Sequence, residues 1–387
     1  MKCIASIFAL FLGGVLALES NPFNSPQNLD QFTSVCNGRT NGCRVELDVP
    51  AACVQSSASD CPIIFHLHGA GGNIDNFSQS SGVHNEGMIG VYPQGEFNGW
   101  NTGPKQTNTC AWDDFACTTD PNEQRFITDI IVELRNLGAN GNIYAYGNSN
   151  GAALAQKLAV NKGADLSFNG IIAHVTQLLA SPERYGPGEI NYNQPIDGNP
   201  SVSVMTVSGT DDPVIPYDGG TAGVFQNNPN FVLMSNDDSN FEWAKHNGCN
   251  GVPAETSMTT NLGSGTAVFM NYTDCNEGRL VEHYKIIGGL HNAGAAVLNG
   301  VPPREIRFDF IKRCERNALM VPSIAPASSP ATNSVPSIAP APVQGQSSEP
   351  SAANEPPSSI LTAILAFLTS MIDLLSEILT LISTPAF

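Results

Sequence analysis

The sequence predicts an α/β fold with a mostly parallel, doubly wound sheet, and three observations carry that expectation. Strand-like and helix-like patterns alternate over roughly 250 residues, as a series of βαβ units does and a sandwich or a bundle does not. The run Pro62-Ile-Ile-Phe-His-Leu-His68 is apolar at most positions, as a strand covered on both faces must be. Between Asn142 and Leu158 a β-branched and aromatic stretch turns abruptly, through glycines, into a helix of small and apolar residues.

The 387 residues suffice for one large α/β domain with appendages. A formal net charge of −18 argues against nucleic acid or an anionic membrane surface as partner. Met1 to about Leu18 has the form of a secretory signal, with Lys2 ahead of an apolar run from Ile4 to Leu16. The expected organisation is a signal over 1–18, the α/β domain over 19–317, a linker over 318–358 and a helical tail over 359–387. A secreted, extracellular protein follows from that reading.

Cysteine usage agrees with export. Once Cys3 leaves with the signal, nine of the ten cysteines remain. Local spacing suggests Cys36–Cys43, Cys53–Cys61, Cys110–Cys117 and Cys249–Cys275, with Cys314 left over; spacing alone does not fix connectivity. With no C-x-x-C pair and no histidine cluster at ligand spacing, neither a metal nor another cofactor is expected. The sequons Asn76-Phe-Ser78 and Asn271-Tyr-Thr273 are acceptors for N-glycans in a eukaryotic host.

Taken in order, Arg44-Val-Glu-Leu-Asp-Val49 alternates as an outer strand. The buried strand at 62–68 ends in Gly69-Ala-Gly-Gly-Asn73. With His68 it resembles the His-Gly-x-Gly loop of α/β-hydrolases, a resemblance that implies backbone N–H groups offered to an oxyanion; a glycine-rich loop after a strand could instead cradle phosphate. No G-K-S/T and no spaced G-x-G-x-x-G follows, which disfavours phosphate. Ala70 is the expected N–H donor of this loop, with Gly71 next, and His68 is expected to shape it. Gly87 to Tyr92 is another buried strand. The segment from Trp100 to Cys117 carries Trp100 and Trp112, both candidates to line a substrate pocket. Asp120-Pro-Asn-Glu123 has capping-box spacing before a helix with apolar positions at Phe126, Ile127, Ile130, Ile131 and Leu134, ending at Gly138.

The centre of the chain is Gly147-Asn-Ser-Asn-Gly151, a G-x-S-x-G sequence between strand and helix. A strand that turns at once into a helix strains the central residue and crowds the positions two before and two after it, which therefore suit glycine. Such a turn exposes the Ser149 hydroxyl and aims the Asn150 N–H where an oxyanion would form. Strands at Gly170–Val175, Ser201–Val207 and Leu280–Ile287 follow, with helices around Phe241–Lys245 and Arg304–Arg313. His66 and His174 read as core histidines.

A serine hydroxyl is a poor nucleophile unless a base accepts its proton and an acid orients that base. Asp212 follows one strand end and His291 follows the next, so Ser149, Asp212 and His291 arrive in nucleophile, acid, base order. Asp211 competes with Asp212 for the acid's place. Of the other histidines, His283 lies inside a strand and His246 follows a helix.

From about Val321 the chain becomes rich in Pro, Ser and Ala, with Val-Pro-Ser-Ile-Ala-Pro-Ala at 321–327 and again at 335–341. Ile360 to Ile382 then carries an apolar face at helical spacing. That tail suits an amphipathic helix for membrane-surface attachment or self-association, a cleaved lipid-anchor signal, or a span; Asp373 and Glu377 count against the last two.

These motifs resemble a known group. Gly147-Asn-Ser-Asn-Gly151, Gly209-Thr-Asp-Asp-Pro-Val-Ile-Pro-Tyr217, Tyr92-Pro-Gln94, Trp100-Asn-Thr-Gly103 and Trp243 with Gly248-Cys249 are similar to the secreted polyhydroxybutyrate depolymerase and feruloyl esterase group of the α/β-hydrolases, related to carbohydrate esterase family 1. The likeness covers about residues 45 to 315. It implies Asp212 as the acid, since the family's acid precedes Pro-Val-x-Pro-Tyr. It also implies a serine esterase acting on feruloyl or acetyl esters of polysaccharide, or on a hydroxyalkanoate polyester. The chain departs from the family at the base, where Gly-Gly-Leu-His291-Asn-Ala replaces a Gly-Gly-Gly-His-Thr-Trp-Pro loop. It departs again before the elbow, where Asn122-Glu-Gln-Arg125 replaces an acidic pair. The residues also leave open a serine peptidase or thioesterase, or a non-catalytic surface or adhesion protein on the same scaffold.

Overall fold

Successive strand residues face opposite sides of a sheet, so a strand that is apolar throughout needs a hydrophobic layer on each side. The computed structural model shows this arrangement. It describes residues 27–28, 44–54, 60–74, 81–102, 123–160, 168–180, 201–225 and 232–320. The expected signal, the tail and the linker from 321 onward lie outside these residues, as do Trp112, Asn76 and the pairs Cys36–Cys43 and Cys110–Cys117; the first three residues of the expected linker, 318–320, belong to the last helix.

The strands are β1 (Gln27–Asn28), β2 (Val45–Asp48), β3 (Ile63–Leu67), β4 (Ile89–Pro93), β5 (Ile143–Asn148), β6 (Phe168–His174), β7 (Ser203–Gly209), β8 (Gly220–Thr221), β9 (Val232–Leu233), β10 (Ala254–Thr259), β11 (Thr266–Tyr272) and β12 (Val281–Ile286). The helices are α1 (Glu123–Asn136), α2 (Asn150–Val160), α3 (Asn236–His246) and α4 (Pro303–Met320). A ten-stranded sheet runs in the order β1-β2-β4-β3-β5-β6-β7-β12-β11-β10, and β8 pairs with β9 separately. The strands from β4 through β3, β5, β6 and β7 to β12 are parallel; β1, β2, β10 and β11 join antiparallel.

Ile63, Phe65 and Leu67 enter one core with the apolar stripes of α1 and α2 and with Trp243 of α3. Ile64, Tyr144, Ile172 and Met205 enter the other, against Phe308, Phe310 and Ile311 of α4. The sheet is thus wound on both sides, as expected. The chain leaves β3 toward β4 on one side and leaves β5 toward β6 on the other. That divergence opens a crevice beyond the carboxyl ends of β3 and β5, where α/β sheets bind ligands.

Three elements differ from expectation. The expected outer strand does not alternate between core and solvent: Glu46 and Asp48 are buried as well, Glu46 against Arg44 and Asp48 against His84 at 2.9 Å. The hairpin of β10 and β11 was not anticipated. Its outer strand, Ala254-Glu-Thr-Ser-Met-Thr259, is almost wholly exposed and polar, so it carries no apolar periodicity. The closing helix extends to Met320, well past Arg313.

Two of the expected disulfides are present, Cys53–Cys61 and Cys249–Cys275. Cys314 is unpaired and buried on α4, and burial pushes its thiol up to about 12. Among the described residues, no helix is long and apolar enough to cross a membrane.

Candidate active site

The elbow forms as its glycines require. Ser149, between β5 and α2, has φ 52°, a left-handed conformation uncommon for a side-chain-bearing residue. A Cβ at Gly147 would lie 2.2 Å from the Gly151 carbonyl oxygen, and one at Gly151 would lie 2.0 Å from the Leu67 carbonyl oxygen. The Ser149 N–H donates to the His174 carbonyl at 2.9 Å. Its own carbonyl accepts from Ala152 and Ala153 N–H and from the Thr176 hydroxyl at 3.0 Å.

The loops after β7 and β12 bring Asp212 and His291 to this serine. His291 Nε2 is 3.0 Å from Ser149 Oγ, and His291 Nδ1 is 2.8 Å from Asp212 Oδ2. A carboxylate only accepts, so Nδ1 carries the proton and the Nε2 lone pair faces the hydroxyl. Asp212 is 6% exposed, and its Oδ1 accepts from Val214 N–H at 2.8 Å and Ile215 N–H at 3.0 Å, which fixes the carboxylate plane. Asp211 is exposed, and its Oδ1 accepts from Thr210 Oγ1. The two loops are also bonded to each other. Thr210 N–H donates to Ile286, Asp211 N–H to Gly289, and Gly288 N–H to Thr210 Oγ1 at 2.7 Å. A Cβ at Gly209 would meet the Gly289 carbonyl oxygen at 2.2 Å, so close apposition of the loops depends on this glycine.

The glycine loop after β3 lies alongside: a Cβ at Gly69 would be 3.7 Å from Ser149 Cβ. Gly71 N–H is engaged with the Asn98 carbonyl at 2.7 Å, and Gly72 N–H with the Gly69 carbonyl at 3.0 Å. Ala70 N–H makes no bond among the described residues, which favours it over Gly71 as a donor to a bound oxygen. His68 ties this loop together. Its Nδ1 donates to the Gly69 carbonyl at 2.8 Å, and its Nε2 accepts from Gly95 N–H at 3.0 Å.

The chain is similar to feruloyl esterase B from Piromyces equi, at 25% identity over 265 residues. That stretch is 65% of this chain and 42% of the curated relative, so the chain spans under half of that protein's length. No protein-family model matches. Among solved structures, acetyl xylan esterase from Aspergillus awamori aligns at 13% identity, covering 75% of this chain and 100% of that one, with a TM-score of 0.46. TT1662 from Thermus thermophilus aligns at 13% identity over 70% of this chain and 94% of that one, with a TM-score of 0.37.

The fold itself is α/β, a mostly parallel sheet covered on both faces, with a strained serine turn after β5. Three of the remaining histidines, His66, His174 and His283, are buried in strands of the sheet. His283 is fully buried between Thr206 Oγ1 at 2.7 Å and Tyr217 OH at 2.9 Å, and burial lowers it to about 4. His66 and His174 are buried and held well below the ordinary histidine range, first by desolvation and then by the charge of Arg307.

Trp100 is placed otherwise than expected. It is 1% exposed, and its indole N–H donates to the His68 carbonyl at 2.8 Å, so it supports the loops from beneath and presents no face to a ligand. The side chain of Asn150 has a role that the sequence did not reveal. Its Oδ1 accepts from Trp100 N–H at 2.6 Å and its Nδ2 donates to the Trp100 carbonyl at 3.0 Å. Thr176 and Thr210 were likewise missed; a lone threonine after a strand carries no pattern that would mark it.

Proposed function

We propose that this chain is a serine carboxylic-ester hydrolase. The observation that carries the proposal is the continuous file from Ser149 Oγ through His291 to Asp212, at 3.0 and 2.8 Å. His291 takes the hydroxyl proton as Ser149 attacks an ester carbonyl, and Asp212 stabilises the imidazolium that forms. The N–H groups of Asn150 and Ala70 hold the oxyanion, aided by the N-terminus of α2. The imidazolium returns its proton to the leaving alcohol, and water then hydrolyses the acyl-enzyme by the same relay.

The resemblance of the motifs and the name of the curated relative support feruloyl or acetyl esters of polysaccharide as the substrate class, with hydroxyalkanoate polyester as the alternative. Two disulfides in a chain with a signal-like leader support action outside the cell. The test is hydrolysis of a short-chain nitrophenyl ester and of methyl ferulate by wild type and Ser149→Ala. Removing a serine nucleophile of this kind costs roughly 10⁴–10⁶ in kcat. Equal rates from the two proteins would remove the enzyme reading and favour a non-catalytic surface protein. Amide or thioester turnover without ester turnover would move the reading to a peptidase or thioesterase.

A further inference from the structure

The turn that carries Ala70 is closed by Gly72 N–H on the Gly69 carbonyl at 3.0 Å, with Gly71 at φ 71°. A left-handed third residue is what a type II turn requires, and Ala70 takes the second place. A turn closed by its own backbone bond can still tilt as a unit, so bonds from outside it decide where the Ala70 N–H points.

The segment after β4 supplies such bonds. Gln94 is half-buried, and its Oε1 accepts from Ile74 N–H at 3.1 Å. Its Nε2 donates to the Gly95 carbonyl at 3.0 Å and to Asn98 Oδ1 at 3.3 Å, which uses both amide protons. Nε2 also lies 3.2 Å from His68 Nε2, whose lone pair is taken by Gly95 N–H at 3.0 Å. The partners fix which end of the amide is which, because Ile74 N–H only donates and the Gly95 carbonyl only accepts. Asn98, at φ 59°, in turn presents its carbonyl to Gly71 N–H at 2.7 Å. Gln94 thus holds both the chain leaving the turn and the residue that holds Gly71. The other end of the segment meets the second N–H group: Trp100 N–H donates to Asn150 Oδ1 at 2.6 Å. The stretch from Gln94 to Trp100 therefore runs between the Ala70 turn and the start of α2.

We propose that Gln94 is a positioning residue of the oxyanion pocket, setting the Ala70 turn, through Ile74 and Asn98, at the distance from Asn150 that a tetrahedral oxyanion requires. The inference rests on the ester-hydrolase reading and on Ala70 and Asn150 as its donors. The effect of Gln94 passes through backbone alone, so it is felt where the oxyanion forms and not where the ground-state ester binds.

The test measures kcat and KM of the whole protein for a nitrophenyl ester and for its thiono counterpart, in which sulfur replaces the carbonyl oxygen. Sulfur accepts hydrogen bonds poorly, so N–H groups aimed at the oxyanion favour the oxygen ester, and an enzyme with one of them displaced discriminates less. Gln94→Met keeps the length and bulk of the side chain and none of the amide's bonds. It is expected to lower kcat for the oxygen ester roughly 10–100-fold with KM within about twofold, and to lower the oxygen-to-sulfur rate ratio about tenfold. Gln94→Glu keeps the acceptor for Ile74 N–H, loses both donors, and is expected to fall between wild type and Gln94→Met. If Gln94→Met does not fold, Gln94→Glu decides, with a ratio below that of wild type expected. A lowered melting temperature with kcat and the ratio at wild-type values would overturn the proposal and leave the esterase reading standing. Loss of kcat with an unchanged ratio would also overturn it, since the loss would not then lie at the oxyanion. No Ser149-dependent turnover in wild type would overturn the esterase reading and this inference together.

Discussion

The side-chain amide of Asn150 pairs with the backbone of Trp100 in both directions, accepting at 2.6 Å and donating at 3.0 Å. One residue thereby does two things. Its N–H opens α2 beside Ser149, and its side chain fastens that helix start to the loop underlying His68. Asn150→Ala keeps the N–H but strands two buried backbone groups, at a cost of about 1–3 kcal/mol each at most. The expected outcome is a lower melting temperature and a kcat reduced roughly tenfold or more with KM little changed, because the N–H proposed to hold the oxyanion is displaced. Unchanged kcat in a destabilised variant would show that the pairing serves stability alone.

Asp211 and Asp212 are adjacent, yet only Asp212 meets His291. Asp212→Asn is expected to lower kcat by roughly 10³–10⁴, through loss of the tautomer that leaves Nε2 free. Asp211→Asn, at an exposed carboxylate, is expected to stay within about twofold of wild type. Steady-state ester hydrolysis separates them, and the reverse order would transfer the acid's role to Asp211.

Gly147 faces the Gly151 carbonyl oxygen at a distance that no Cβ tolerates. Gly147→Ala therefore forces the elbow apart, at a cost of about 3 kcal/mol or more. Insoluble protein, or a midpoint in urea well below that of wild type, is the expected outcome. A fully active, equally stable variant would contradict the close apposition.

Much of this arrangement is legible in the sequence because steric rules write it there. G-x-S-x-G, Gly-Gly before His291 and the acid before Pro213 each mark a strand end where backbone must pass close to backbone. The apolar run at 62–68 marks a strand with a core on either side. The hairpin at Ala254–Tyr272 was not legible, since its exposed outer strand has nothing to bury. Trp100 was misjudged for a related reason: sequence shows a tryptophan on an irregular segment but not the Asn150 amide and His68 carbonyl that hold it inward. Glu46 and Asp48 look solvated in an alternating pattern, and only Arg44 and His84 account for their burial.

Stability is expected to fall on mild acidification. His283 is lowered to about 4 by burial, and His66 and His174 are lowered in the same sense. A group with a depressed histidine pKa binds fewer protons folded than unfolded, so its contribution is complete above about 6.5 and is lost as pH falls toward the folded value. Each such group adds a slope of about 1.4 kcal/mol per pH unit within that window. Urea unfolding at pH 7.5, 6 and 5 measures it, with His283→Asn expected to flatten the dependence. A stability that does not change across this range would mean the histidines are not buried neutral.

Labelling with a fluorophosphonate, followed by peptide mass spectrometry, tests the central claim most directly. The account predicts one adduct per chain, on Ser149, formed far more slowly in His291→Ala. An adduct on a different serine, or none in folded wild-type protein, would contradict it.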